Sequence, residues 1–267
     1  MRDRSIRCCL VTMLAICVLA PRLARADTDD TGHGPFTKIT YPTDMIDRPL
    51  TLVGGMVELG LSLDHHRFSV AGMGDTNTTA AGFSADYGLG NKIQVGVSTV
   101  LAIDPDFDWG KNLGVSIGYL AVDQRSFDVR AGFNTDLRFE NGADTFSGFQ
   151  LDAFTRVLLN GAIAITAGQG LIAVHTSDPS WVDLNLRVGI LAQVVSKLAV
   201  TINTEVASLA VSGDGNKTTS WGDAVPVDLT VYYSPNNKLD VGLFLGFASV
   251  DSAGDDYTLG AAVAFRI

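Results

Sequence analysis

The chain has 267 residues, 46% of them hydrophobic, with 29 acidic against 19 basic residues and a formal charge of −10. So acidic a chain offers no broad basic face to neutralise phosphates, which argues against nucleic acid as a partner. All three cysteines (Cys8, Cys9 and Cys17) fall at the start of the chain, so nothing downstream can form a disulfide framework or a thiolate metal site.

The N-terminus reads as a secretory signal. Arg2, Arg4 and Arg7 precede an apolar run from Cys8 to Ala20, and Ala24-Arg25-Ala26 places small residues at the cleavage spacing. The run is too short to cross a bilayer core of ~30 Å as a helix. The pattern predicts a signal peptide over residues 1–26 and a mature chain from Asp27. Cleavage removes five Arg and one Asp, leaving 14 basic residues (19 − 5) and 28 acidic (29 − 1), a charge of −14.

Residues 27–50 are polar and irregular, with Pro35, Pro42 and Pro49 opposing regular structure. They are expected to form either a loose periplasmic extension or a plug folded into a barrel. From Thr51 to the C-terminus the hydropathy alternates, and no later apolar run is long enough for a spanning helix. Val53, Gly55, Val57, Leu59, Leu61 and Leu63 form one face of a first strand, with Glu58, Gly60 and Ser62 on the other. The last stretch, Tyr257–Ile267, alternates as regularly, with Tyr257, Leu259, Ala261, Val263, Phe265 and Ile267 on its apolar face. First and last strands of this kind pair and leave no open edge.

Short turns are expected near Gly90-Asn91, Asp123-Gln124-Arg125, Leu159-Asn160-Gly161, Val195-Ser196 and Pro235-Asn236-Asn237. Longer polar segments lie between them, at 64–79, 104–112, 140–147, 176–180, 212–223 and 249–256. Five short and six long connections join twelve strands, the arrangement of an outer-membrane barrel with turns in the periplasm and loops outside. The predicted fold is all-β: an antiparallel transmembrane β-barrel over residues 51–267, closed by its first and last strands. Trp109, Trp181 and Trp221 at the loop side, and Tyr87, Tyr119, Phe127, Tyr233 and Phe265 at the turn side, are expected to form two aromatic girdles.

Parity assigns the charged strand residues to one face, the expected lumen lining. These are Glu58, Asp86, Asp128, Asp136, Asp152, Asp183, Glu205, Asp228 and Asp240, with Arg130, Arg138, Arg156, Arg187 and Arg266. A charge on the lipid face would cost ~2–4 kcal/mol near the midplane, which explains their confinement. Gly60, Gly88, Gly96, Gly114, Gly118, Gly132, Gly242 and Gly260 leave room on that face. The lining suits either a water-filled conduit or a barrel filled by its own Arg–carboxylate pairs, a closed structural or surface-recognition barrel.

No catalytic or metal site is expected. Asp104-Pro105-Asp106-Phe107-Asp108 begins like a cation loop, but Val115 stands where the closing Glu would be. His175 and Ser177, expected on the outward face by parity from Ile163 and Ile165, hint at an outer-membrane phospholipase. Asp178-Pro179 departs from that family's pattern, and no third group orients a base.

The hairpin Tyr87-Gly88-Leu89-Gly90-Asn91-Lys92-Ile93-Gln94-Val95-Gly96-Val97 resembles those of bacterial outer-membrane channel proteins. In size and hairpin count the mature chain resembles the transporter-like barrels of the meta-pathway phenol degradation family. That resemblance implies passive passage of small solutes, hydrophobic or aromatic ones among them, and no cofactor. It also implies membrane lipid, lipopolysaccharide and the barrel-assembly machinery as partners, in the outer membrane of a Gram-negative bacterium.

Overall fold

The computed structural model describes residues 36–70, 74–105, 107, 112–139, 146–176, 180–212, 217–220, 225–249 and 255–267. Asp106, Asp108, Trp109, Ser177, Trp221 and Gly215 lie outside them. The strands are β1 (Val57–Val70), β2 (Gly74–Leu89), β3 (Ile93–Asp104), β4 (Asn112–Gln124), β5 (Phe127–Arg138), β6 (Phe146–Asn160) and β7 (Ile163–Ala167). There follow β8 (Ile172–His175), β9 (Trp181–Val195), β10 (Leu198–Ser212), β11 (Lys217–Ser220), β12 (Val227–Asn236), β13 (Leu239–Phe247) and β14 (Asp256–Arg266). Both β7 and β8 pair with β6 on one side and β9 on the other, so they are two pieces of one wall strand. Likewise β11 and β12 both pair with β10. Twelve antiparallel wall strands result. The ring closes through β1 and β14, from Glu58↔Arg266 to Phe68↔Asp256.

Alternation explains the wall. Leu59, Leu61, Leu63, Leu243, Leu259 and Val263 are exposed on the outside, where the bilayer is the solvent, while Gly60, Ser62, Gly242, Gly260 and Ala262 turn inwards. Full closure leaves no unpaired strand edge for the hydrocarbon to desolvate, which is what makes a sheet stable there. Short turns at 90–92, 125–126, 161–162, 196–197 and 237–238 share one end of the barrel.

Four expectations need correction. The first strand begins at Val57, not Thr51: Gly55 has φ 78° and its N–H bonds to Gly88 O, so 51–56 turn across the barrel end. Val53, expected on the outward face, is buried beside Tyr41, Leu52 and Met56. The segment 64–79 is mostly strand, since β1 and β2 stay paired from Val57↔Tyr87 to Val70↔Gly74. Polar residues end the apolar band but do not end the ladder, because backbone pairing continues beyond the membrane. Tyr87, Tyr119, Tyr233 and Phe265 are exposed, but Phe127 is buried, so it adds little to a lipid-facing girdle.

The fourth correction concerns the break between β7 and β8. Ala167 pairs with Val188 and Ile172 with Leu184, so four residues on this strand (168–171) face three on β9 (185–187). One extra residue reverses the facing of everything beyond it. Gly168 (φ 79°) and Gly170 (φ 62°) supply the left-handed backbone that the bulge needs. Ile163 and Ile165 therefore point outwards, whereas His175 shares the inner face with Asp183 and Trp181. The sequence had put His175 outside and Trp181 in a girdle; both project inwards.

Candidate functional site

Residues 41–53 touch strands on every side of the ring, which places them across the bore. Ile46, 1% exposed, packs with Ala164, Leu191 and Ala199 of β7, β9 and β10. Leu52 N–H bonds to Gln94 Oε1 of β3 at 2.9 Å, and Arg130 of β5 donates to Leu50 O at 3.4 Å. The segment also grips the short turns. Asp44 Oδ1 accepts from Ser196 Oγ and Lys197 N–H, and Asn237 Nδ2 donates to Ile39 O. Burial holds the phenol of Tyr41 above its ordinary ionisation range, despite the opposing pull of Arg266 and Arg48.

Arg48 is the anchor. Its Nη1 and Nη2 donate to both oxygens of Asp240, at 2.6 and 2.9 Å. Nη2 also donates to Ser234 Oγ and Thr43 O, and Nε to Pro42 O. Arg266 Nη2 donates to Asp240 Oδ2 at 2.5 Å, while its Nε lies 2.6 Å from Glu58 Oε2. Both guanidiniums sit over the Tyr41 ring, at 5.7 and 5.2 Å. Arg48, Ser234, Asp240 and Arg266 are all buried. A second buried pair, Asp128 with Arg156, stands on β5 and β6 of the same end.

Register puts Arg266, Glu58, Asp86 and Asp183 on one rung of the face that carries this segment. The rung Arg266–Glu58–Asp86–Gly96–Ser116–Asn134–Gln150–Ala173–Asp183 runs from β14 through β1 to β9. The structure sorts the fourteen into two sets. Glu58, Asp86, Asp128, Arg130, Arg156, Asp240 and Arg266 lie toward the short turns, where Arg48 joins them. Four carboxylates then meet four guanidiniums. Asp136, Arg138, Asp152, Asp183, Arg187, Glu205 and Asp228 lie toward the long-loop end, five carboxylates against two guanidiniums. In this upper set Asp136, Arg138 and Asp228 are exposed, and Arg187 reaches Glu205 at 3.1 Å. Asp152 accepts from Gly170 N–H (2.6 Å) and Asn134 Nδ2 (2.7 Å), so it holds the wall bulge.

Arg48, Ser234, Tyr41, His175 and Trp181 were not among the expected lining residues. Arg48 carried no signal beyond being a lone cation between Pro42 and Pro49. His175 was hidden by the bulge, whose two glycines were its only sequence trace. Among the described residues no group of three His, Asp or Glu is placed to hold a metal ion.

The closed twelve-strand antiparallel ring, apolar outside and charged within, is the porin-type barrel fold of bacterial outer membranes. Comparison with protein-family models and with curated proteins finds no match. Among solved structures, the NanC porin matches with a TM-score of 0.52 at 8% identity, over 78% of this chain and 100% of that one. The KdgM porin matches with a TM-score of 0.45 at 11% identity, over 76% and 98% of the two chains. An outer-membrane channel from Pseudomonas putida F1 matches with a TM-score of 0.48 at 10% identity, over 81% and 97%. At these identities the likeness is one of fold.

Proposed function

We propose that the protein is a passive conduit for small solutes across the outer membrane, with a vestibule open at the long-loop end and a short-turn end closed by residues 41–53. The carrying observation is a gradient of burial along one inner face. Asp128, Arg156, Asp240 and Arg266 are sealed at one end, while Asp136, Arg138 and Asp228 stay solvent-exposed at the other. A barrel that only needed a rigid core would pair and bury its charges at both ends. The fourteen charged residues line the path, and residues 41–53 act as its plug. Residues 1–26 direct export and are removed. The outer band meets lipid and, at the loop end, lipopolysaccharide, after insertion by the barrel-assembly machinery.

The surplus of upper carboxylates favours neutral or cationic solutes over anions, because fixed charges in a narrow low-dielectric bore act strongly on what passes. Inward Phe154, Tyr232 and Phe244 suit solutes with hydrophobic or aromatic parts. Planar-bilayer recording of the mature chain and of a chain lacking residues 27–53 tests the reading. The full chain should show small, infrequent openings and the shortened chain a steady, cation-preferring conductance. If neither conducts after verified insertion, the closed structural barrel is the correct account.

A further inference from the structure

The vestibule wall contains a bare patch flanked by a ring and an acid. His175 and Trp181 face each other across β8 and β9 with ring centroids 4.2 Å apart and planes at 19°. Both rings are fixed from below by one carboxylate: Asp183 Oδ2 accepts from Trp181 Nε1 at 2.9 Å and lies 3.1 Å from His175 Nε2. Trp181 covers one face of the imidazole. On the opposite side the neighbour is β6, where the residue paired with His175 is Gly148.

Gly148 has φ 147°, and a Cβ there would collide with the backbone oxygen of Val174, so no side chain can fill the place. Thr135 Oγ1 donates to Gly148 O at 2.7 Å and pins that backbone. One strand further on, Ser147 and Gly148 together oppose a single residue of β5, Asp136, in a second bulge. Asp136 is exposed on the inner face. Across two inter-strand spacings, ~10 Å, the wall thus presents a partly exposed imidazole, a glycine without a side chain and an exposed carboxylate.

We propose that this slot is a binding site for a planar ring bearing a positively charged, hydrogen-donating group. The ring stacks on His175 over Gly148 and the charged group meets Asp136. Stacking selects flatness, because only a planar ring reaches full contact with the imidazole. The carboxylate, in a vestibule already rich in acids, selects the cation. Two bulges build the slot, one turning His175 inwards and one placing a glycine opposite Asp136. The proposal rests on the conduit reading, since it names the class of solute that enters the vestibule.

The test uses the full mature chain in detergent, with equilibrium binding of benzamidine measured by calorimetry. Cyclohexanecarboxamidine has the same charge without a planar ring, and toluene has the ring without the charge. Benzamidine should bind about threefold to tenfold more tightly than either, the scale of one good stacking contact. Asp136→Asn and Trp181→Leu should each lower its affinity about tenfold while heat-modifiable gel migration stays unchanged. Equal binding of the two amidines, or full affinity in Asp136→Asn, overturns the slot. Binding is read apart from conductance. Selective binding by a chain that never conducts supports the slot and sinks the conduit, whereas conductance without selective binding does the reverse.

Discussion

The two ends of the bore are built from the same residue types in opposite ways. At the short-turn end Arg48, Arg156 and Arg266 are each buried against a carboxylate, and Ile46 fills the space between β7, β9 and β10. At the long-loop end Asp136, Arg138 and Asp228 are exposed, and the Arg187–Glu205 pair leaves the arginine side chain 46% exposed. Charge identity therefore says little about role. Burial decides it, because a desolvated ion pair cannot lose one partner cheaply while a solvated one can.

The sharpest break of this comparison comes from matched arginine deletions. Arg156→Ala takes the guanidinium from Asp128, a carboxylate only 1% exposed, and should destabilise the barrel by about 3–5 kcal/mol. Arg187→Ala should cost no more than about 1 kcal/mol. Urea unfolding in lipid bilayers measures both; equal losses would erase the distinction between the two ends. Next in size is the outer wall. Leu243, 60% exposed midway along β13, should cost about 2–4 kcal/mol as Leu243→Arg, and Leu184, nearer the loops, less.

A smaller effect is expected where the segment meets the wall. Arg48→Ala leaves Asp240 to Arg266 and Ser234 and should free residues 41–53 for proteolysis without unfolding the strands, seen as a trimmed N-terminus with unchanged heat-modifiable migration. The segment should also loosen in alkali. Tyr41 keeps its proton in the docked state to higher pH than a free phenol does, so its contribution is complete below about pH 10 and fades as pH rises through the raised value. A hydrogen-exchange series from pH 8 to 11 would show the onset. The smallest change concerns selectivity: Asp228→Asn removes an exposed upper carboxylate and should lower the cation preference less than twofold, as reversal potentials would report. Asp152→Asn should act instead on stability, through the bulge it holds at Gly170.

Strand identity and hairpin order were readable because lipid outside and polar residues inside impose a strict period of two on Leu59, Leu61 and Leu63 or Leu259, Ala261 and Val263. Where that contrast fades, so does the reading. Beyond Asp64 both faces of β1 and β2 are wet, and strand there looks like loop. The bulge at 168–171 changes the count by one residue, and nothing in Ala167-Gly168-Gln169-Gly170 marks that facing reverses rather than the strand ending. The segment before β1 is held by irregularly spaced contacts (Tyr41, Ile46, Arg48, Leu52) whose partners lie about 40 to 190 residues away. No local period records such contacts.

The anchor of that segment also orders events in time. Asp240 stands on β13, Arg266 on β14 and Glu58 on β1, so the pocket that receives Arg48 spans the seam where the end of the chain meets its beginning. Until β14 has annealed to β1, Arg266 does not face Glu58, and the charged cluster around Asp240 and the Tyr41 ring is incomplete. A half-inserted chain thus lacks part of the receptor for its own N-terminal segment. The Tyr41 ring, lying under both Arg48 and Arg266, joins the segment to the finished seam.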